Sequence, residues 1–481
     1  MSTVPLWVVV VAPALLGLVT LRVRGAYPAL AILLGVSVLH LAVTAGLWTA
    51  AARLPAGTLL GLDALGLLFL STTSVVFFAA ALYSVPYLLH GTHDASLPPH
   101  RFVAYLLWFL SAMSLVTVTL HLALLWAAVE ATTLATAPLI YFYRRPQALE
   151  AAWKYLVICS VGIALALLAV FFLGIASSAA PGRPPALTVA GLSAVAGVMS
   201  RPWLEAAFVL ALVGFGTKMG LVPMHTWLPD AHSQAPSPVS ALLSGALLNC
   251  AFLAVVRCLQ ICVASGQAAF ARTLLSVLGF LSVAVATAFM VRQRDYKRLL
   301  AYSSVENMGI VALGMGLGGP ATYGALLHAV NHSVCKAGLF LLSGNVLREF
   351  ATTEAGAVRG VWRRLPLSGG LLMAMLLAIG GSPPFGPFWS KFMIFRAAID
   401  GPHGWIGAAF VVLLGFAFLG MASTWLPMLQ GDPASPGIPR REAALSTLPP
   451  LALTLLALAL GVALPPALAQ VLRQAAAAVG G

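Results

Sequence analysis

Charge is what this sequence has least of. Only 8% of its 481 residues are Asp, Glu, Lys or Arg, against about 25% in an ordinary soluble domain. So few charges cannot solvate a water-facing surface, which excludes a soluble enzyme and leaves lipid as the surrounding solvent. Cysteine is also scarce: Cys159, Cys250, Cys258, Cys262 and Cys335 lie in or beside apolar segments, with no CxxC pair. Cys258 and Cys262 share a helix face, where small buried thiols are expected rather than a metal or cluster site. Without thiolate or carboxylate clusters, no cofactor and no metal is expected, and the chain itself carries out no electron transfer or bond chemistry.

What is abundant is apolar sequence, 60% of the chain. Cutting at polar and Pro/Gly clusters gives fourteen segments, approximately 5–21, 27–50, 60–89, 102–120, 121–143, 150–174, 203–223, 237–262, 268–291, 298–317, 320–346, 366–399, 404–428 and 447–473. A helical span needs about 20 apolar residues, and only helices or closed barrels satisfy the backbone in lipid. The ten-residue alternation of barrel strands is absent. The expected fold is therefore an all-α polytopic membrane protein of about fourteen transmembrane helices. The first segment, Pro5 to Leu21, has no basic residue before it and is followed by Arg22 and Arg24, the reverse of a secretory signal, so it is expected to be retained.

The net charge of +13 would suggest nucleic acid in a soluble chain. Here the basic residues fall between apolar runs, so topology explains them and no nucleic-acid partner is expected. With the N-terminus outside, fifteen lie in cytoplasmic loops: Arg22, Arg24, Arg101, Arg144, Arg145, Arg292, Arg294, Lys297, Arg298, Arg348, Arg359, Arg363, Arg364, Arg440 and Arg441. The opposite loops hold Arg53, Arg183, Arg201, Arg272 and Arg473. This asymmetry fits the positive-inside rule with both termini on the periplasmic side.

Lysine is used differently. Of five in the chain, Lys154, Lys218, Lys336 and Lys391 fall within predicted spans. Arginine stays charged wherever it is placed, whereas a buried lysine can release its proton. Lysine in lipid and arginine in water suggests that lysine titrates.

Further ionisable groups accompany these lysines. Glu130 sits mid-segment in LLWAAVEATT, where a carboxylate is costly unless functional or paired. Lys218 lies in GFGTKMGLVP, whose three glycines and a proline suit a broken helix with unwound carbonyls beside the ammonium. His328, His332 and Lys336 recur at spacing four and stack on one helix face over roughly 12 Å, a pattern suited to a proton path. Zinc is disfavoured because no carboxylate or thiolate completes the site. Lys391 follows a second breaker, GGSPPFGPFWS. Two interrupted segments five spans apart, the seventh and twelfth, are what inverted five-helix repeats produce. The resulting division is 1–101, 102–262, 263–428 and 429–481.

Weaker positions keep two readings. Glu306, in SSVENMG, occupies the segment corresponding to that of Glu130 but reads equally as interfacial. Glu150 and Lys154 form a helix-start pair or part of a relay. Asp63 reads as a helix cap, Arg257 and Arg396 as snorkelling side chains, and His90, His93 and His100 as a solvated loop cluster.

In this order, these residues resemble the antiporter-like proton-translocating subunits of respiratory complex I, group 4 membrane-bound hydrogenases and multisubunit cation/proton antiporters. The resemblance covers about residues 60–430 and is most specific in KMGLVPMHTWLPDAH, in PSPVSALL and in LHAVNHSVCK. VEATTLATAPLIYFYRR, ALEAAWKYLVICSVG and LLSGALLNC look most like the hydrogenase component F type. The resemblance implies fourteen helices, two inverted five-helix repeats and broken helices 7 and 12. It implies Glu130 and Lys218 as a carboxylate–lysine pair, His328, His332 and Lys336 as a connecting relay, and Lys391 as the exit-side lysine. Lys154, His225 and Glu306 are secondary candidates. Asn249 stands where relatives often carry lysine, and an amide cannot titrate. Other membrane-arm subunits, a peripheral redox module and the lipid bilayer are the implied partners, in a bacterial inner membrane. The implied function is proton translocation in a redox-driven complex. The alternatives are cation/proton antiport or proton-driven inorganic-carbon uptake on the same fold, or a passive scaffold.

Overall fold

The computed structural model describes residues 3–50, 59–90, 97–178, 186–402, 404–432 and 441–481. Arg53, His93, Arg183 and Arg440, and the side chain of His90, lie outside the described residues. Among those described, the chain is helical, with only isolated β-bridges such as Leu60–Thr119.

The first six spans are α1 (Val4–Thr20), α2 (Ala26–Ala50), α3 (Ala64–His90), α4 (Pro99–Val118), α5 (Leu122–Ile140) and α6 (Pro146–Ser177). A short α7 (Val189–Ala194) leads to a seventh span in two pieces, α8 (Arg201–Met219) and α9 (Trp227–Gln234). The eighth, α10 (Ser237–Leu242) and α11 (Leu248–Ala264), is joined by a π-helical turn at Leu243–Leu247. Then follow α12 (Ala268–Met290), α13 (Tyr296–Leu317) and α14 (Pro320–Phe350). After the four-residue α15 (Val361–Arg364), the twelfth span is again divided, into α16 (Pro366–Gly380) and α17 (Gly386–Asp400). The chain closes with α18 (Gly404–Gln430), α19 (Ala444–Val462) and α20 (Pro466–Ala477). Eleven of these helical stretches are long and apolar enough to cross a membrane, and the shorter α1 and α16 are apolar too. The breaks expected in segments 7 and 12 are present.

One boundary differs from expectation. The last segment, read as one span over 447–473, ends at Val462, and Pro465–Pro466 start the separate helix α20. Proline at the first helical turn loses no hydrogen bond, whereas inside a helix it breaks one.

Among the described residues three spans are enclosed on all sides: the best apolar windows of α10–α11 and of α14 are completely buried by other helices, and α13 is buried along nearly its whole length. By contrast, α18 and α12 turn most of their surface outward, with Phe416, Leu419, Val277 and Phe289 exposed. Helices in lipid associate by close packing rather than by the hydrophobic effect, which places small residues at crossings. Gly214 is such a residue: a Cβ there would sit 2.6 Å from the Gly162 carbonyl oxygen of α6. The missing side chain lets α8 lie against α6 and brings Lys218 within reach of Tyr155.

Candidate functional site

The first cluster forms where α8 stops. Gly220 takes φ +82°, a left-handed conformation that a side chain disfavours, and ends the helix two residues after Lys218. Of the carbonyls this leaves, that of Thr217 accepts the Trp227 indole N–H at 2.8 Å. The Lys218 side chain is fully buried and turns toward α5 and α6. Its Nζ donates to Tyr155 OH at 2.6 Å and to Thr133 Oγ1 at 2.8 Å, and it lies 4.4 Å from the Tyr155 ring centroid. Thr136 donates to the Thr132 carbonyl at 2.7 Å, so it accepts from Tyr155 across 2.6 Å.

Glu130 and Lys218 are not in direct contact. Thr133 stands between them, taking a hydrogen bond from the ammonium and donating to Glu130 Oε2 at 3.1 Å. The other carboxylate oxygen accepts from Ser160 at 3.4 Å. The unwound carbonyls expected around Lys218 are thus replaced by hydroxyls.

The second break does supply such a carbonyl. Residue 383 is proline and has no N–H to give back to Ile379, so that carbonyl is left free. Lys391 Nζ donates to it at 2.9 Å. The same Nζ lies 3.7 Å from Glu306 Oε1, with both side chains buried. Glu306 is therefore an interior residue of α13 rather than an interfacial one.

Between the breaks runs α14. His328 Nε2 meets Asn307 Oδ1 at 2.9 Å and its Nδ1 meets Ser390 Oγ at 2.9 Å. Asn307 Nδ2 donates at 2.6 Å to both Glu306 Oε2 and the Ser303 carbonyl. His332 Nε2 meets the Ser244 carbonyl at 3.3 Å, within the π turn. Lys336 donates to the Leu300 carbonyl at 2.9 Å and to the Ser303 hydroxyl. Asn249 donates to Ser333 Oγ at 2.6 Å and to the Ala329 carbonyl at 3.2 Å, clamping α11 on α14. Glu306, Asn307, Ser303, His328, Lys336 and Lys391 thus form one connected cluster. Among the described residues, no hydrogen bond joins it to Lys218, whose partners are Thr133 and Tyr155. Asn249 Oδ1 and His332 Nδ1 are buried without a protein partner.

Several sequence candidates lie elsewhere. His225 sits within the first break, in a single 3-10 turn between α8 and α9, 6.4 and 6.3 Å from the rings of Phe289 and Tyr302. Lys154, read as lying in a span, is half exposed and pairs with Glu150 at 2.6 Å and Asp230 at 3.1 Å. Asp230 also binds Arg298 at 2.7 Å, at the wall of a polar cavity of about 190 Å³. Lys297, read as a loop residue, is buried and donates to the Ala235 carbonyl at 2.6 Å. Apolar periodicity misplaced Lys297, the second residue of α13, whereas Lys154 does lie within α6, a stretch long and apolar enough to cross a membrane. Nor does Arg257 snorkel. It is 1% exposed and holds Asp63 through bonds of 2.5 and 2.7 Å, while Asp63 also caps α3 through the Gly66 N–H at 2.8 Å. Partial burial alone would raise the Asp63 carboxyl, but the Arg257 guanidinium holds it below its ordinary value of 3.8. Arg396 is exposed and 3.4 Å from Asp400.

Sequence reasoning missed the neutral members: Thr133, Tyr155, Ser303, Asn307 and Ser390. A signal existed for two of them, since Thr133 lies one turn beyond Glu130 and Asn307 directly follows Glu306.

Two interrupted helices with a buried lysine at each, embedded in a bundle of apolar spans, define a polytopic membrane protein built around an interior polar axis. The chain belongs to the NADH:quinone oxidoreductase/Mrp antiporter transmembrane family, whose match spans residues 119–417 and so includes every ionisable group of both clusters. It is 36% identical over 349 residues to a hydrogenase-4 component F homolog of Methylacidiphilum infernorum, covering 72% of this chain and 73% of that protein. Its fold superposes on a chain of an archaeal membrane-bound sulfane sulfur reductase with a TM-score of 0.87 at 21% identity, covering 99% and 98% of the two chains. A chain of the Mrp complex from Dietzia sp. DQ12-45-1b superposes with a TM-score of 0.86 at 20% identity, over the full length of both.

Proposed function

We propose that the chain is a proton-translocating subunit in the membrane arm of a redox-driven complex of the hydrogenase or quinone-reductase type. The observation that carries this reading is the pairing of each break lysine with a glutamate: Lys218 with Glu130 through Thr133, and Lys391 with Glu306 at 3.7 Å. Buried charges are expensive in a membrane and mark ion pathways. Similarity to a hydrogenase-4 component F homolog supports a hydrogenase-type setting.

On this reading an event in a partner subunit draws Glu130 away from Thr133. Lys218 is then an ammonium with hydroxyl partners and no countercharge, and its proton moves inward. Asn249 cannot carry it, so the middle step runs through water bound at polar atoms such as Asn249 Oδ1 and His332 Nδ1. The proton then passes along α14 by His332, Lys336 and His328 to Lys391, which releases it at the second break. If the inverted repeats run over 102–262 and 263–428, each half carries one such lysine–glutamate unit. The chain sits in a bacterial inner membrane, both termini periplasmic, among other membrane-arm subunits and beside a peripheral redox module. Lys218→Ala and Glu130→Gln in the assembled complex abolish proton translocation while leaving assembly intact. Undiminished proton flux in either variant would refute the mechanism.

A second reading, cation/proton exchange, is favoured by the whole-length fold match to a chain of the Mrp complex. Vesicle flux driven by a sodium gradient, without any electron donor, separates it from the first.

A further inference from the structure

We propose that Asn307 is a positioning residue that latches His328, so that a proton cannot cross the imidazole while the Glu306–Lys391 pair is intact. This inference rests on the relay function proposed above.

The Asn307 side chain is fully buried and its amide has one workable orientation. Its Nδ2 lies 2.6 Å from the Ser303 carbonyl oxygen and 2.6 Å from Glu306 Oε2. A backbone carbonyl can only accept, and so can an ionised carboxylate. Turning the amide over would press its own oxygen against both, so the network fixes Nδ2 on that side. Asn307 Oδ1 therefore faces His328 Nε2, at 2.9 Å. An amide oxygen also only accepts, so Nε2 must carry the hydrogen in both the neutral and the charged ring.

The other nitrogen differs. Nδ1 faces the Ser390 hydroxyl at 2.9 Å, and that hydroxyl, which also lies 3.1 Å from the Pro387 carbonyl, can give its one hydrogen to Nδ1 or keep it on the carbonyl and accept from Nδ1. An imidazole that relays a proton gains it at one nitrogen and gives up another from the opposite one. At Nε2 there is nothing to receive it, because a carboxamide oxygen is far too weak a base. With the latch closed, His328 loads and unloads only through Nδ1, on the side of α17 where Ser390 adjoins Lys391.

The latch is anchored on groups that report the state of the path. Glu306 holds the amide with one oxygen and faces Lys391 with the other. Ser303 holds it with its carbonyl while its hydroxyl takes Lys336. His332, one turn from His328 on the same helix, is the remaining titratable group on this face. When Lys391 passes its proton to Glu306, the bond from Asn307 to Oε2 weakens and one of the amide's two anchors is lost. His328 is then free to turn and exchange with the Lys336 side. Ordered in this way, Lys336 and Lys391 are not connected at the moment when a proton could run backwards.

The test uses the full-length chain in its native complex, with selectively ¹⁵N-labelled histidine, in lipid nanodiscs. The His328 resonances are assigned by their loss in His328→Gln. The expected result is a single form protonated at Nε2 in the wild type and a mixture of both tautomers in Asn307→Leu. A wild type protonated at Nδ1 alone, or an unchanged ring in Asn307→Leu, overturns the latch. Asn307→Asp, nearly isosteric but able to take and pass a proton, provides the second measurement. Passive proton leak into reconstituted vesicles without substrate should rise about tenfold, the order expected when a hydrogen bond to a charged group is lost. An unchanged leak overturns the latch as well. If the chain moves no protons at all, driven flux is absent from wild-type vesicles too, while the nitrogen resonances still report the tautomer; the relay then fails separately from the latch.

Discussion

Thr133→Val tests the first cluster at its narrowest point. The substitution keeps the shape of the side chain and removes the one hydroxyl that touches both Lys218 and Glu130. Lys218 retains Tyr155 at 2.6 Å, and Glu130 retains the long 3.4 Å bond from Ser160. Each charged group loses one hydrogen bond, worth about 1.5–3 kcal/mol. If one such bond governs the handover between carboxylate and lysine, translocation slows by about ten- to a hundredfold, at 1.4 kcal/mol per factor of ten. Thr133→Ser restores the hydroxyl and should stay within about twofold of wild type, the remaining difference being χ1 freedom. The assay is initial proton flux into vesicles holding the assembled complex, started by the electron donor, with assembly checked by co-purification. Wild-type flux in Thr133→Val would show that the carboxylate and the lysine communicate by another route and would refute the hydroxyl-bridged pair.

Three further outcomes are expected. Asp63→Asn strands the buried Arg257 charge; removing one partner of a fully buried pair costs about 3–5 kcal/mol, and because Asp63 is 34% exposed the cost here is reduced to about 2–3 kcal/mol. Thermal unfolding in detergent measures it, and Asp63→Asn combined with Arg257→Met should recover most of the loss. Because Arg257 holds the Asp63 carboxyl below 3.8, this contribution is fully present above that pH and disappears as the pH falls through the lowered value. The wild type should therefore lose more stability on acidification than the double variant does, when unfolding is followed at stepped pH. Gly214→Ala sets a methyl 2.6 Å from a backbone oxygen that cannot move aside, at a cost of about 1–3 kcal/mol, and the altered α6–α8 spacing should lower proton flux by more than the fall in folded protein.

The large-scale plan was legible because its signals are physical and local. Glycine and proline inside apolar runs announced both breaks, and a spacing of four announced the shared face of His328, His332 and Lys336. The neutral partners were far less legible. Threonine, serine and asparagine are ordinary residues of membrane helices, and only its spacing of three from Glu130 sets Thr133, which bridges two charges, apart from Thr132, which bonds its own backbone. Asp63 and Arg257 are separated by 194 positions, so only the folded bundle brings them together. Lys297 reads as a loop residue although it is buried, because hydropathy locates a helix end only to within a turn or two.

The enclosure of α14 bears on how the protein is made. A helix with two imidazoles, an ammonium and two amides along its length is a poor candidate for entering lipid by itself. In the finished protein no part of its best apolar window touches the bilayer. During synthesis it must wait beside the translocation machinery, or insert shallowly, until α13 and the much later α17 and α19 arrive to shelter it. Biogenesis of this chain is then a collective event, and truncation before the last spans should send the nascent polypeptide to membrane proteases.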